Sequence, residues 1–476
     1  MKNIIIARKS EQKILHSLLN SKAPEFLAVY GRRRVGKTYL IKEFFSEQSH
    51  FFELSGEKDA SLIEQLQNFK FSLRQLFPEE VLPEMKTWRE ALQYLALILD
   101  RVWGDEKTVL FFDELPWLAS RNSKFLQALD HFWNSWASRR SHIKVVVCGS
   151  AASWMIKNIV HNKGGLYNRI TQTIRLMPFD LSETEEYLKN LGITLNRKDL
   201  LELYMCVGGI PHYLRHLKKG YSIAQSIDAL CFSKEGILNQ EFKYLFASIF
   251  DDSEIHLSIV KTLASQRKSI GRNDLLGKAQ LQSGGGTTRA LDELVESGFI
   301  AQDIPFDKVN RGQQYRLIDE YCLFYLCWIE NNSGKGNWLS LRNSPRWMAW
   351  SGYSFESLCL KHIDQIKDAL GISGVQTIQS SWIGSTGQEA VQVDLVIDRA
   401  DNCINVCEIK FSNSTFTINK AYAENLRRKV SIFQDSTKTK KNIFLTIITT
   451  HALKDNTYAQ ELVSSSLTMD CLFSKT

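Results

Sequence analysis

The chain has 476 residues, of which 44% are hydrophobic and 23% charged, and its net charge is +7. Such a length exceeds what one hydrophobic core organises and predicts roughly two to four domains. The composition excludes a disordered or collagen-like chain, and the positive balance permits a polyanionic partner without requiring one. The opening "MKNIIIARKSEQ" has too short an apolar run for a signal peptide, and the stretch "YCLFYLCWI" is about half of what a membrane-spanning helix needs. Nine cysteines, an odd number, show no second Cys/His pair at zinc spacing after Cys403 and Cys407. They read as reduced core thiols of a soluble, cytoplasmic protein.

The first informative stretch is "FLAVYGRRRVGKTYLIKEFF". A buried-strand pattern from Phe26 to Tyr30 leads into a loop and then a helix, and the loop has the full P-loop spacing Gly31-x-x-x-x-Gly36-Lys37-Thr38. The glycines let successive backbone N–H groups turn toward phosphate oxygens. Lys37 brings a mobile positive charge, and the Thr38 hydroxyl suits Mg²⁺. The N-terminus of the following helix adds its dipole. Gly31, Arg34, Val35, Gly36, Lys37, Thr38 and Tyr39 are therefore the expected nucleotide-binding residues, with ATP and Mg²⁺ as ligands.

A magnesium-holding acid should follow at the end of a buried strand. "KTVLFFDELPWL" supplies it: Val109 to Phe112 is a continuous apolar run that reads as a central parallel strand, ending in Asp113 and Glu114. The C-terminal edge of such a sheet is where ligands bind. Asp113 is expected on the metal and Glu114 on the attacking water. The next strand, in "IKVVVCGSAASWM", ends in Ser150, which either orients that water or caps a helix. P-loop strand, acidic strand, polar-tipped strand is the order seen in AAA+ ATPases. The stretch "GGLYNRITQTIRLMPFDLSETEEYL" resembles the part of that class that carries an arginine finger, with Arg169 the first candidate and Arg175 the second. Such a finger acts between protomers and so implies a homo-oligomer. Ser182 with Glu185 predicts a capping box at the start of the next helix.

Residues 253–302 read as three helices, the last with Thr287 or Thr288 as its N-cap and Leu291, Leu294, Val295 and Phe299 on its apolar face. The following stretch alternates like a hairpin with Asn310-Arg311-Gly312 at its tip. Three helices and a hairpin predict a winged helix, in which Arg289 and Arg311 would meet DNA. Asp292, Glu293 and Glu296 on the same third helix would repel phosphate if they faced it.

The tail opens with an amphipathic helix, "PRWMAWSGYSFESLCLKHIDQIKDALG", that buries Phe355, Leu358, Cys359, His362 and Ile366 and carries Glu356 near its start. Two strands follow, "VQVDLVIDR" and "INVCEIKFS", joined by the turn "ADN". Asp394 and Glu408 on adjacent strands are placed to converge on Mg²⁺, an oxygen-seeking ion. Lys410, two residues from Glu408, shares its face and can position the nucleophile or stabilise the pentacovalent charge at a phosphate. Lys420, Tyr422, Arg427 and Arg428 on the next helix are candidate phosphate contacts. The spacing from Asp394 to Glu408-x-Lys410 matches the PD-(D/E)XK nuclease core, with Val393 in place of its proline and Glu356 as its helical acid.

Taken together, "VYGRRRVGKT", "DELPWL", "CGSAASWM", "GGIPHYL" and "CEIKFSNSTFTINKAYAENLRRK" resemble the archaeal-type AAA+ ATPases with a C-terminal nuclease-like domain, prokaryotic ATP-binding proteins related to the Orc/Cdc6 and STAND branches. The resemblance implies an α/β chain: a P-loop parallel-sheet core over 1–180, a helical lid over 181–250, a winged helix over 251–335 and a restriction-endonuclease-like domain over 345–476. It places Pro211 of "GGIPHYL" near the nucleotide and Arg8 of "IARKSEQKIL" near the base, with Ala7 where the family has glycine. The implied function is an ATPase coupled to DNA through a Mg²⁺-dependent nuclease-like tail, without a membrane. The alternative is a STAND-like switch whose tail binds and does not cleave.

Overall fold

The computed structural model describes residues 5–120, 122–160, 168–247, 249–250, 253–266, 268–306, 312–330, 332, 338–342, 344–386 and 389–474. The chain divides into two compact units, Met1–Pro178 and Phe179–Thr476.

The first unit is built on five strands: β1 (Glu25–Tyr30), β2 (His50–Ser55), β3 (Thr108–Asp113), β4 (Ile143–Gly149) and β5 (Gln172–Arg175). They pair in the order β2-β3-β4-β1-β5, all parallel. Strands β3 and β4 are buried along their whole length, as continuous Val, Leu and Phe runs require when helices cover both faces. One face packs on the helices Leu62–Leu76, Trp88–Val102 and Phe125–Ser135. There Trp88 stands edge-on to Phe69 and Phe125, with ring centroids 6.0 and 4.8 Å away. Ser61 with Glu64 and Thr87 with Glu90 start the first two of these helices by accepting the exposed backbone N–H groups.

In the second unit, two helices, Leu181–Asn190 and Arg197–Val207, precede the glycine pair Gly208-Gly209 and a short helix, Pro211–Leu214, opened by Pro211. The capping box lies two residues earlier than Ser182 and Glu185 suggest. Asp180 has the extended backbone of an N-cap, its side chain accepts from the Glu183 N–H at 2.7 Å, and its own N–H donates to Glu183 Oε2 at 3.3 Å. Ser182 is already helical and buried.

Next come the helices Glu254–Gln266, Arg272–Lys278 and Gly285–Glu296 with the antiparallel strands β6 (Ile270–Gly271), β7 (Ile300–Asp303) and β8 (Gln314–Leu317) in the order β6-β8-β7. The third helix begins before the expected caps. Gly284 is its N-cap, and Thr287 sits buried in its first turn with its hydroxyl on the Gln282 carbonyl at 2.8 Å. Arg311 lies outside the described residues.

The tail consists of the helices Pro345–Lys361 and Ile363–Ala369, then β9 (Thr377–Thr386), β10 (Glu389–Arg399), β11 (Cys403–Lys410), β12 (Asn442–Thr449) and β13 (Ser465–Thr468). The helix Lys420–Thr437 crosses from β11 to the parallel β12. The sheet order is β13-β12-β11-β10-β9, antiparallel from β9 to β11 and parallel beyond.

The opening helix of this tail is not continuous, because it breaks at His362 (φ −103°, ψ 38°). Its Nδ1–H donates to the Leu358 carbonyl at 3.0 Å while Nε2 accepts the Leu181 N–H at 3.2 Å. Burial, with Lys361 beside it, lowers this imidazole to about 3, so it stays neutral. Glu356 consequently stands in the second half of Pro345–Lys361, not near its start.

Candidate nucleotide site and a second acidic corner

The C-terminal edges of β1, β3 and β4 bring together the residues expected to hold a nucleotide. The loop after β1 approaches the chain after β5 so closely that a Cβ on Gly31 would lie 2.2 Å from the Leu176 carbonyl oxygen, and Gly31 has a φ of +148°. Gly36, with φ +93°, caps the helix Lys37–Phe45 in a left-handed conformation that side chains rarely adopt. Arg34 also has positive φ, at 72°. Val35 is buried, and its carbonyl accepts from Arg8 Nη2 at 3.3 Å. Arg8 is thereby fastened to the same loop, while the Tyr39 side chain is 48% exposed.

Lys37 Nζ donates to the carbonyls of Gly31 and Arg32, each at 2.9 Å. Its charge is stored at the mouth of the loop, on neutral dipoles that an anion can outcompete. Thr38 Oγ1 donates to Asp113 Oδ2 at 2.6 Å. This oxygen pair fits a hard divalent cation. The other Asp113 oxygen accepts the Glu114 N–H at 2.9 Å. Glu114 itself has φ +46°, a strained conformation of the kind concentrated at functional sites.

Ser150, buried at the tip of β4, lies 2.7 Å from Glu114 Oε2 and 3.0 Å from Oε1. One hydroxyl proton can serve only one of these oxygens at a time. The helix that follows has Ala151 at its N-cap and no side-chain cap, so Ser150 is a partner of Glu114. Arg169 is exposed, and Arg175 is exposed at the end of β5. Pro211 belongs to the second unit.

A second cluster forms in the tail sheet. The register pairs Leu395 with Cys407, which sets Asp394 across from Glu408, and a bulge in the β9–β10 pairing falls between Val393 and Val396. Both acids are buried. Asp394 Oδ2 accepts the Ile409 N–H at 3.0 Å. Glu408 Oε1 accepts from Tyr422 at 2.7 Å and pairs with Lys410 at 2.9 Å, and its Oε2 pairs with Lys429 at 2.7 Å.

Burial, reinforced by Glu408, raises the Asp394 carboxyl. Burial pushes Glu408 the same way, but Lys410 and Lys429 outweigh it and hold that carboxyl low. Glu356 is pushed up to about 8 by burial and then by Asp394. Oxygen ligands suited to Mg²⁺ are present, yet among the described residues no three His, Cys, Asp or Glu side chains close into a metal-ligand group. A cation on Glu408 must therefore compete with its two lysines.

Lys429 is the partner that sequence reading missed. Tyr422 and Lys429 are seven apart on the helix Lys420–Thr437, so they share a face, and that spacing was the available signal. Arg427 turns instead to Glu461, at 2.8 Å from both carboxylate oxygens, and Arg289 pairs with Glu293 at 3.3 Å. Glu293 also takes His256 at 2.8 Å, so that acid is neutralised within its own module.

Residues 6–217 match an ATPase domain described as predominantly from Archaea. The matched residues include the parallel sheet and its Gly31–Thr38 loop, so this part of the chain is similar to that ATPase domain. An uncharacterized protein of Methanocaldococcus jannaschii is 24% identical over 334 residues, which cover 69% of this chain and 70% of that protein. Among solved structures, the Walker-type ATPase of Pyrococcus abyssi aligns at 18% identity and a TM-score of 0.48, covering 68% of this chain and 96% of that one. The ORC2 protein of Aeropyrum pernix, solved as ADPNP–ADP complexes, aligns at 16% and 0.44, covering 72% and 98%. Among the described residues no helix is long and apolar enough to cross a membrane.

Proposed function

We propose that this chain binds ATP with Mg²⁺ at the Gly31–Thr38 loop and hydrolyses it, and that the second unit couples the nucleotide state to nucleic acid. The observation that carries the first half is the contact of Thr38 with Asp113 at 2.6 Å beside the Glu114–Ser150 pair. When bound, Mg²⁺ neutralises charge on the phosphates. Thr38 and Asp113 would hold it, Lys37 would leave its two carbonyls for the phosphates, and Glu114 would take the proton of the attacking water. Ser150 orients Glu114. Arg169, or Arg175 after it, would complete the site from a neighbouring protomer, with Arg8 and Pro211 toward the nucleotide.

The modules proposed are the ATPase core over 1–180, a lid over 181–250, a winged helix over 251–335 and a nuclease-like domain over 345–476. Asp394, Glu408, Lys410 and Glu356 would form a Mg²⁺-dependent phosphodiester site on DNA. A second reading, a STAND-like switch with a non-cleaving tail, is favoured by one observation: three donors already engage both oxygens of Glu408.

Phosphate release measured with ATP and Mg²⁺ tests the first half. Replacing Lys37→Ala should lower it by about 100-fold or more, the scale of losing one preorganised charge donor. Equal rates would overturn the assignment.

A further inference from the structure

A cleft of about 160 Å³ lies beside Glu356, walled by β7 and β8 on one side and by β9 and β10 on the other. Its size is below the ~300 Å³ at which whole small-molecule sites begin, so it suits one planar group. Three amide side chains line it, Gln314, Gln379 and Gln392, and each amide offers both donors and an acceptor. Leu360 and Ile383 add apolar surface. Ser380 borders it through its position on β9, but its side chain alternates with Gln379 and turns to the buried face with Trp382.

The cleft is also fixed in place. Arg316, 8% exposed on β8, pairs with Asp303 at 3.0 Å and donates to Ser357 at 3.1 Å, next to Glu356. Gln392 stands two residues before Asp394 on β10. Whatever enters the cleft therefore lies against the strand that carries the acidic corner, with Lys268 supplying positive charge in the lining.

We propose that this cleft receives one unstacked nucleobase of a single-stranded nucleic acid, read by Gln379, Gln392 and Gln314. The class of ligand follows from the chemistry: every base edge mixes donors and acceptors, and glutamine amides match such edges in pairs. A duplex keeps its bases stacked, so only an unpaired base reaches the pocket. The proposal rests on reading the Asp394–Glu408 corner as a site for a phosphodiester backbone, and it assigns that site a single-stranded substrate.

The test is fluorescence anisotropy of a labelled 12-nucleotide strand, as DNA and as RNA, on the full chain in EDTA so that no cleavage intrudes. Gln379 and Gln392 are exposed on their strands, so the double variant Gln379→Ala/Gln392→Ala should fold as the wild type does. It should bind the single strand about 10-fold more weakly, the scale of one lost bidentate base contact, with duplex binding unchanged. A strand with one abasic position at the contact should cost the wild type the same factor and the variant nothing further. Equal affinities of wild type and variant, or an abasic scan with no sensitive position, would overturn the proposal.

The same strands incubated with Mg²⁺ separate this inference from the reading beneath it. Variant-sensitive binding without cutting leaves the pocket standing and removes cleavage. Cutting that the glutamine variant leaves unchanged in affinity and position does the reverse.

Discussion

The two polar corners of this molecule neutralise their charge in opposite ways. At the P-loop, the lysine donates to two carbonyl dipoles and the acid accepts from a hydroxyl and an N–H, neutral partners that a metal–anion pair can displace. At the tail, two buried carboxylates face each other and two lysines already answer one of them. A ligand at the first corner completes a site, whereas a ligand at the second must replace existing ion pairs. The first corner holds its acid without a lysine, and at the second a cation has to compete with Lys410 and Lys429 for Glu408.

That contrast breaks most visibly in catalysis. If the tail cleaves, Asp394→Asn and Lys410→Ala should each reduce Mg²⁺-dependent cutting of a nucleic-acid substrate by about 100-fold or more, with ATP hydrolysis retained. Cutting unaffected by either would leave the tail a binding module.

A smaller effect concerns stability. Lys429→Met leaves one oxygen of buried Glu408 without its charged donor and should lower unfolding free energy by about 2 kcal/mol in urea titrations. Thr38→Ala, at a site without a matched charge pair, should cost about 1 kcal/mol or less.

The pH dependence sharpens the comparison further. Glu356 sits at about 8 in the folded chain against 4.5 for the unperturbed group. Between those values the folded state holds the proton and the unfolded state releases it, so this group's contribution to stability declines as pH rises from 4.5 toward 8. Glu356→Gln should flatten that decline in melting temperature, and an identical slope would contradict the burial argument. A small effect is also expected at the helix Leu181–Asn190. Asp180→Ala should cost about 1 kcal/mol as the loss of a cap, with Ser182→Ala below it because Ser182 caps nothing.

What the sequence made legible follows from how each site is assembled. The P-loop is contiguous, and its glycines, lysine and threonine act through local backbone geometry, so spacing alone located it. Asp113 was found because an apolar run ending in an acid marks a buried parallel strand. The pairing of Glu114 with Ser150 needed the neighbouring positions of β3 and β4, which no local pattern reports. In the tail, the alternation of β10 and β11 announced Asp394 and Glu408. The lysine on the crossover helix was hidden, because its role depends on how that helix is rotated against the sheet.

Helix starts slipped for a related reason. Ser182 with Glu185 fits the capping pattern, but Asp180 with Glu183 forms the box at the N–H groups of residues 180 and 183, where the chain first turns. The break at His362 was likewise invisible, since the apolar period continues across it. Only the N–H of Leu181, distant in sequence, selects the imidazole as its acceptor.

The most direct measurement is ATP turnover alongside nucleotide retention for the wild type and Glu114→Gln, both with Mg²⁺. The account predicts that the variant binds ATP as tightly as the wild type on a filter and releases phosphate at least about 100-fold more slowly. A variant that hydrolyses at the wild-type rate, or a wild type that retains no ATP, would contradict it.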